Sequence, residues 1–110
     1  MKKTEQLEIN EYVENIAKDV HALMRTHLGP ITWVRLYHCS ADWACLGDWA
    51  ILRSYSTIVA AYNWATGEFF DFLRLVYGYT ATSAQHITKF RNYCHSVTRN
   101  WGTMYRWYAV

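Results

Sequence analysis

Between residues 54 and 90 the chain reads as strand, tight turn, strand and then capped helix, and that order constrains the fold more than any other feature. A β-branched run, Thr57-Ile58-Val59, is separated from an aromatic run, Phe69-Phe70-Asp71-Phe72, by Asn63-Trp64-Ala65-Thr66-Gly67. Glycine at 67 can take the positive φ that a short hairpin loop needs, and Asn63 can close the turn through its side chain. A β-hairpin turning at 63–67 is therefore expected. After Tyr77-Gly78-Tyr79 the composition shifts to Thr80-Ala81-Thr82-Ser83, and Thr82 with Gln85 has the spacing of a capping box. Ile87, Phe90, Cys94 and Val97 then step by three and four, which puts them on one stripe of a helix over 82–98.

The patterns Ser54-Tyr55-Ser56-Thr57-Ile58-Val59-Ala60, Thr66-Gly67-Glu68, Tyr79-Thr80-Ala81-Thr82 and His86-Ile87-Thr88-Lys89-Phe90 together resemble a family of small proteins from phages and other mobile elements of Gram-positive bacteria. The likeness covers roughly a third to a half of the chain and rests mostly on structural residue types. It implies a short sheet packed on a helix, in a protein made during infection or carried by a mobile element. Met1 to Ser40 and the tail after Val97 lie outside it.

Upstream, residues 1–28 form the N-terminal helical unit. Ile9, Val13, Ile16, Val20, Leu23 and His27 alternate four and three apart, and Leu7, Tyr12, Met24 and Leu28 widen the apolar face. Glu5, Glu8, Glu11 and Glu14 fill the first half and Lys18, His21 and Arg25 the second, as the helix dipole favours. Gly29-Pro30 ends it. Residues 31–38 are β-rich by type, 40–48 read as a pinned loop, and extended structure resumes at Trp49, with a bulge or bend expected at 54–57. The second hairpin strand is apolar on both faces, so the sheet needs cover on both, from the two helices or from another copy of the chain. The expected fold is one α+β domain: an N-terminal helix, an antiparallel sheet of three to five strands within 31–77, a capped helix, and an aromatic tail over 99–110.

A chain of 110 residues can bury roughly two-thirds of its unfolded surface, and 52% hydrophobic against 18% charged residues argues against disorder. No run approaches the length of a membrane span, and the basic start leads into an acidic helix rather than a secretory signal. Cys39, Cys45 and Cys94 are an odd, irregular set, suited to reduced thiols in a bacterial cytoplasm.

Chemistry-bearing clusters are sparse. His38-Cys39, Cys45 and Cys94-His95 lack the paired knuckle of a structural zinc site, so no metal and no cofactor are expected. A Cys94–His86 nucleophile pair would need a depressed thiol pKa and an orienting third group. His86 reads instead as a hydrogen-bonded structural residue reaching the strand before it, and no catalytic residues are assigned.

Charge is the functional signal. All nine acidic residues lie at or before Asp71, giving that segment −3, whereas everything from Phe72 onward is acid-free and carries +5. Arg74, Lys89, Arg91, Arg99 and Arg106 are interleaved with Tyr77, Tyr79, Tyr93, Trp101, Tyr105, Trp107 and Tyr108, a mixture able to grip an acidic protein surface or to stack on bases and contact phosphates. The plainer alternative is that the acidic first helix packs beside the basic later one and the two fields cancel. The expected function is a non-enzymatic interaction protein that inhibits a host function by occupying a surface, with an anti-CRISPR protein as the concrete instance under the resemblance. Its partner would be a host protein or nucleoprotein complex, contacted by Arg91, Arg99, Tyr105, Arg106, Trp107 and Tyr108. A small nucleic-acid-binding regulator is the alternative, and homodimerisation is compatible with the two-faced sheet.

Overall fold

The computed structural model describes residues 3–36, 40–55, 57–76, 81–98 and 106–109. Helix α1, Lys3–Thr26, leads to six strands: β1 Val34–Arg35, β2 Ala41–Leu46, β3 Trp49–Ser54, β4 Thr57–Asn63, β5 Glu68–Asp71 and β6 Arg106–Ala109. Between the last two lie a single helical turn, α2 at Leu73–Val76, and the longer helix α3 at Ala81–Thr98. The strands stand in chain order across one sheet, antiparallel from β1 to β5, with β6 parallel to β5. The expected α+β architecture is the observed one, with a larger, mixed sheet. The parallel pair has a simple cause: the chain leaves β5, returns along the sheet as α3, and so enters β6 in the direction of β5.

Strand alternation sorts the core into two layers. Leu52, Val59, Ala60, Tyr62 and Phe69 face Ile87, Phe90 and Cys94 of α3. Ile51, Ile58, Ala61 and Phe70 face Val13 and Val20 of α1, with Ile9, Ile16, Leu23 and Met24 packed at the margin. Phe69 and Phe70 are adjacent in sequence and fully buried on opposite sides. The two helices therefore cover the two faces, as a sheet without a polar side requires.

The hairpin at 63–67 forms as its residues dictate. Asn63 Oδ1 accepts from the amides of Ala65 at 2.9 Å and Thr66 at 3.1 Å. Gly67 takes φ +78° and donates to the Asn63 carbonyl at 2.9 Å. A second tie, from the Trp64 amide to the Asp48 carbonyl at 2.8 Å, joins this turn to the Gly47-Asp48 turn between β2 and β3.

Three local expectations are corrected. Residues 40–48 are not a loop: Ala41 to Leu46 pair in full register with Ser54 to Trp49, leaving only Gly47 and Asp48 to turn. The small buried residues Ala41 and Ala44 lack the β-branched signature yet suit a strand pressed between two layers. In 31–38, only Val34 and Arg35 are assigned to a strand among the described residues, a short exposed edge. The second hairpin strand stops at Asp71, whose Oδ1 accepts the Leu73 amide at 2.9 Å and starts α2, so the apolar run after Phe72 turns helical. Helix α3 is Ala81–Thr98, in agreement with the helix expected over 82–98. The expected irregularity at 54–57 resolves into two features, a register shift at Leu52/Arg53 and a two-residue turn at Tyr55, φ +56°.

Candidate functional site

The two helices expose different chemistry. On α1, Glu8, Glu11, Glu14 and Asp19 are exposed, with Lys18 and Arg25 as the exposed cations. The outer positions of α3 are Thr82, Gln85, Thr88, Lys89, Asn92, His95 and Ser96, without a carboxylate. Of the described acids outside α1, Glu68 and Asp42 lie on the α1 side, Asp71 lies on the α3 side and Asp48 is in the β2–β3 turn. Glu68 accepts a hydrogen bond from the Tyr12 hydroxyl of α1 at 3.0 Å. Asp42 pairs with Arg53 at 2.9 Å, and the Arg53 guanidinium lies 4.0 Å from the Trp33 ring in the α1-side layer. Asp71 alternates with Phe70 and so falls on the α3 side. Burial raises its pKa, opposed by the Leu73 amide and then by Arg91 and Arg74 nearby.

This arrangement overturns the idea that α1 and α3 pack side by side and cancel. A sheet separates them, which puts their axes roughly 20 Å apart at about 10 Å per layer. That exceeds the screening length of about 8 Å at physiological salt. The two charge fields face opposite directions.

Those residues expected to bind a partner that are described fall on two elements. Arg91 is half-buried on α3, beside Asp71. Arg106, Trp107 and Tyr108 lie in β6, paired with Glu68, Phe69 and Phe70. The Tyr108 ring stacks on Phe70 at 5.4 Å and meets Tyr12 edge-on at 5.4 Å, which puts it in the α1-side layer, across the sheet from Arg91. Arg99 and Tyr105 lie outside the described residues, as do Tyr77, Tyr79 and Trp101.

A buried polar cluster joins α3 to the β3–β4 hairpin. Ser54 Oγ lies 2.9 Å from His86 Nδ1 and 3.2 Å from Ser83 Oγ. Ser54 is 0% and His86 4% exposed. Burial lowers the His86 pKa, and Lys89 adds to the effect, so the ring is neutral at pH 7. A hydroxyl beside a neutral imidazole has the elements of a nucleophile and base, but a serine closed to solvent cannot meet a substrate, and the cluster acts as a fastener. Its bonds tie together Ser54 and His86, which are 32 residues apart in the chain. Spacing along one strand or one helix does not reveal that meeting.

The other suggested chemistry fares differently. Cys94 and His86 are separated by about 12 Å of helical rise, at 1.5 Å per residue, and cannot form a nucleophile–base pair. The Cys94 thiol is pushed far up by burial, reinforced by Cys45. Among the described residues no group of three His, Cys, Asp or Glu side chains could hold a metal ion. No helix among them is long and apolar enough to cross a membrane.

The chain matches no protein-family model, no curated protein and no solved structure.

Proposed function

We propose that this protein is a non-enzymatic interaction protein that works by occupying an acidic surface on another macromolecule, with the α3 side as its working face. The observation that carries this reading is the acid-free exterior of α3, set across the sheet from the exposed glutamates of α1. Charge on an outer helical face contributes little to folding, so packing supplies no reason for such a division, whereas steering toward an oppositely charged partner does. Under the mobile-element resemblance, the concrete form is an inhibitor of a host function, an anti-CRISPR protein among them. A nucleic-acid-binding regulator is the second reading, supported by the same lack of acids. It is the weaker one because Lys89 is the only fully exposed Lys or Arg described on α3, and Arg91 shares its neighbourhood with Asp71.

The test is affinity capture from a Gram-positive bacterial lysate with and without nuclease, comparing the wild-type chain with Lys89→Glu/Arg91→Glu. A protein that persists after nuclease treatment and is lost with the double variant supports the inhibitor reading. Recovery of RNA or DNA alone, with affinity falling steeply as salt rises, supports the regulator. An unchanged set of captured molecules in the double variant removes the α3 face from consideration.

A further inference from the structure

We propose that Tyr55 is the anchor of this interaction surface, inserting its ring into an apolar pocket on a partner protein whose rim is rich in Asp and Glu. The inference rests on the interaction reading above and adds the position of its centre and the chemistry of what it meets.

Two neighbouring hairpins supply the argument. Leu46 pairs with Trp49 and Ser54 with Thr57, so each connection has two residues, and the first residue of each has positive φ. In the β2–β3 turn that residue is Gly47, φ +59°; in the β3–β4 turn it is Tyr55, φ +56°. A left-handed conformation strains an L-residue through the contact of its Cβ with the backbone, a cost that glycine avoids. The chain thus uses glycine at one turn and the bulk of a tyrosine at its equivalent. Burial does not offset the strain, because Tyr55 is 59% exposed. Its ring contact with His86, at 6.1 Å between centroids and tilted 52°, covers only part of it.

The backbone leading into Tyr55 is also tied down. The Tyr55 amide donates to the Ser40 carbonyl at 3.0 Å. The residue before it, Ser54, is locked to His86 and Ser83 of α3. An exposed ring whose backbone is already fixed loses little freedom on binding, which is the property of an interface anchor, and tyrosine is among the residues most often found in that role.

The electrostatics around it choose the partner. His86 meets the Tyr55 ring and lies within the electrostatic reach of Lys89. The exterior of α3 beyond them has no carboxylate. An aromatic tip beside a helix exterior that carries Lys89 and no carboxylate complements an apolar pocket with acidic edges. A nucleic-acid strand would demand a track of phosphate-spaced cations, and the described part of this face offers Lys89 and the partly engaged Arg91.

The experiment is selection of a random peptide library on the wild-type chain, followed by calorimetric titration of the selected peptides against Tyr55→Gly, Tyr55→Asn and Lys89→Glu. Expected are peptides enriched in Asp and Glu around an apolar residue. Their affinity should fall at least about 10-fold with Tyr55→Gly and Tyr55→Asn, and should fall with Lys89→Glu. The Tm of Tyr55→Gly should be equal to or above that of wild type, because glycine relieves the turn. A lowered Tm for both Tyr55 variants would make the ring structural and overturn the proposal. Equal affinity for both variants overturns the anchor while leaving the α3 reading standing. Peptides without acidic bias, or binding of an oligothymidine in place of any peptide, overturn the acidic-protein chemistry itself.

Discussion

Helices α1 and α3 cover the same sheet and meet the same packing demand, yet they differ in everything that faces water. Each inserts a stripe at helical spacing, Val13 and Val20 on one side, Ile87, Phe90 and Cys94 on the other. Outside, α1 presents glutamates and α3 presents Lys89, Asn92, His95 and Ser96. Their attachments differ as well. A described polar tie of α1 is the Tyr12–Glu68 hydrogen bond at the exposed rim, whereas α3 is fastened through the buried Ser54, Ser83 and His86. Packing dictates the inward stripe alone. The outward chemistry was free to vary, so its asymmetry carries information that the core does not.

The largest effects should come from the core layers themselves. Phe70→Ala removes the ring against which Tyr108, Tyr12 and Trp49 pack. Phe90→Ala removes the contact of α3 with Trp43 and Phe69. Each should cost about 3–5 kcal/mol in urea denaturation. Because one sheet backs both layers, each variant should unfold in a single transition. Separate transitions for the two faces would break the comparison, making α1 or α3 an independent unit.

Next in size is Ser54→Ala, which strips the buried His86 and Ser83 of a common partner and should cost about 1–3 kcal/mol. Its counterpart on the other side, Tyr12→Phe, breaks an exposed hydrogen bond and should stay within about 0.5 kcal/mol of wild type. Similar losses for the two would mean that the α3 fastening is no stronger than the α1 rim.

The fastening also predicts a pH dependence. The folded-state pKa of His86 lies below its ordinary value of 6.5. Above that value the ring is neutral in both states and its contribution is fully present. As the pH falls below 6.5 the unfolded chain takes up the proton first, so stability declines until the folded pKa is reached, by no more than about 1.4 kcal/mol per pH unit. Denaturation midpoints measured between about pH 7.5 and 5.5 should show the decline, and His86→Asn should flatten it. A slope unchanged by that substitution assigns the effect elsewhere.

Smallest in stability and most telling in binding are the surface exchanges. Lys89→Glu and Glu11→Lys should each leave stability within about 0.5 kcal/mol. Lys89→Glu alone should abolish capture of an acidic partner. If Glu11→Lys does so instead, the working face is α1.

Several of these features were legible in the chain. The 63–67 turn was, because Asn63 and Gly67 act locally, through one side chain and one permitted backbone angle. The two amphipathic helices were, since their period repeats over several turns. Strand β2 was not: Ala41, Asp42 and Ala44 have little strand character, and their conformation is imposed by β3 beside them. The helical turn at Leu73–Val76 was missed because an all-apolar run fits either period, and the Asp71 side chain decided between them. Of the expected contact residues, Arg91 and Tyr108 looked like parts of one cationic, aromatic segment, and the sheet divides them. The positive φ of Tyr55 was invisible, because a tyrosine between serines gives no local sign of it.

The chain's residues alone determined the α+β class and the central hairpin, which depend on residues within a turn or two of each other, and the separation of charge along the chain, which is a matter of composition alone. The tertiary structure decided that α1 and α3 lie on opposite faces, that the C-terminal strand joins β5 in parallel, and that Ser54 meets His86. Those outcomes depend on which surfaces are buried together, and burial is a property of the assembled layers. A linear charge bias thereby became a molecule with two electrostatically distinct sides.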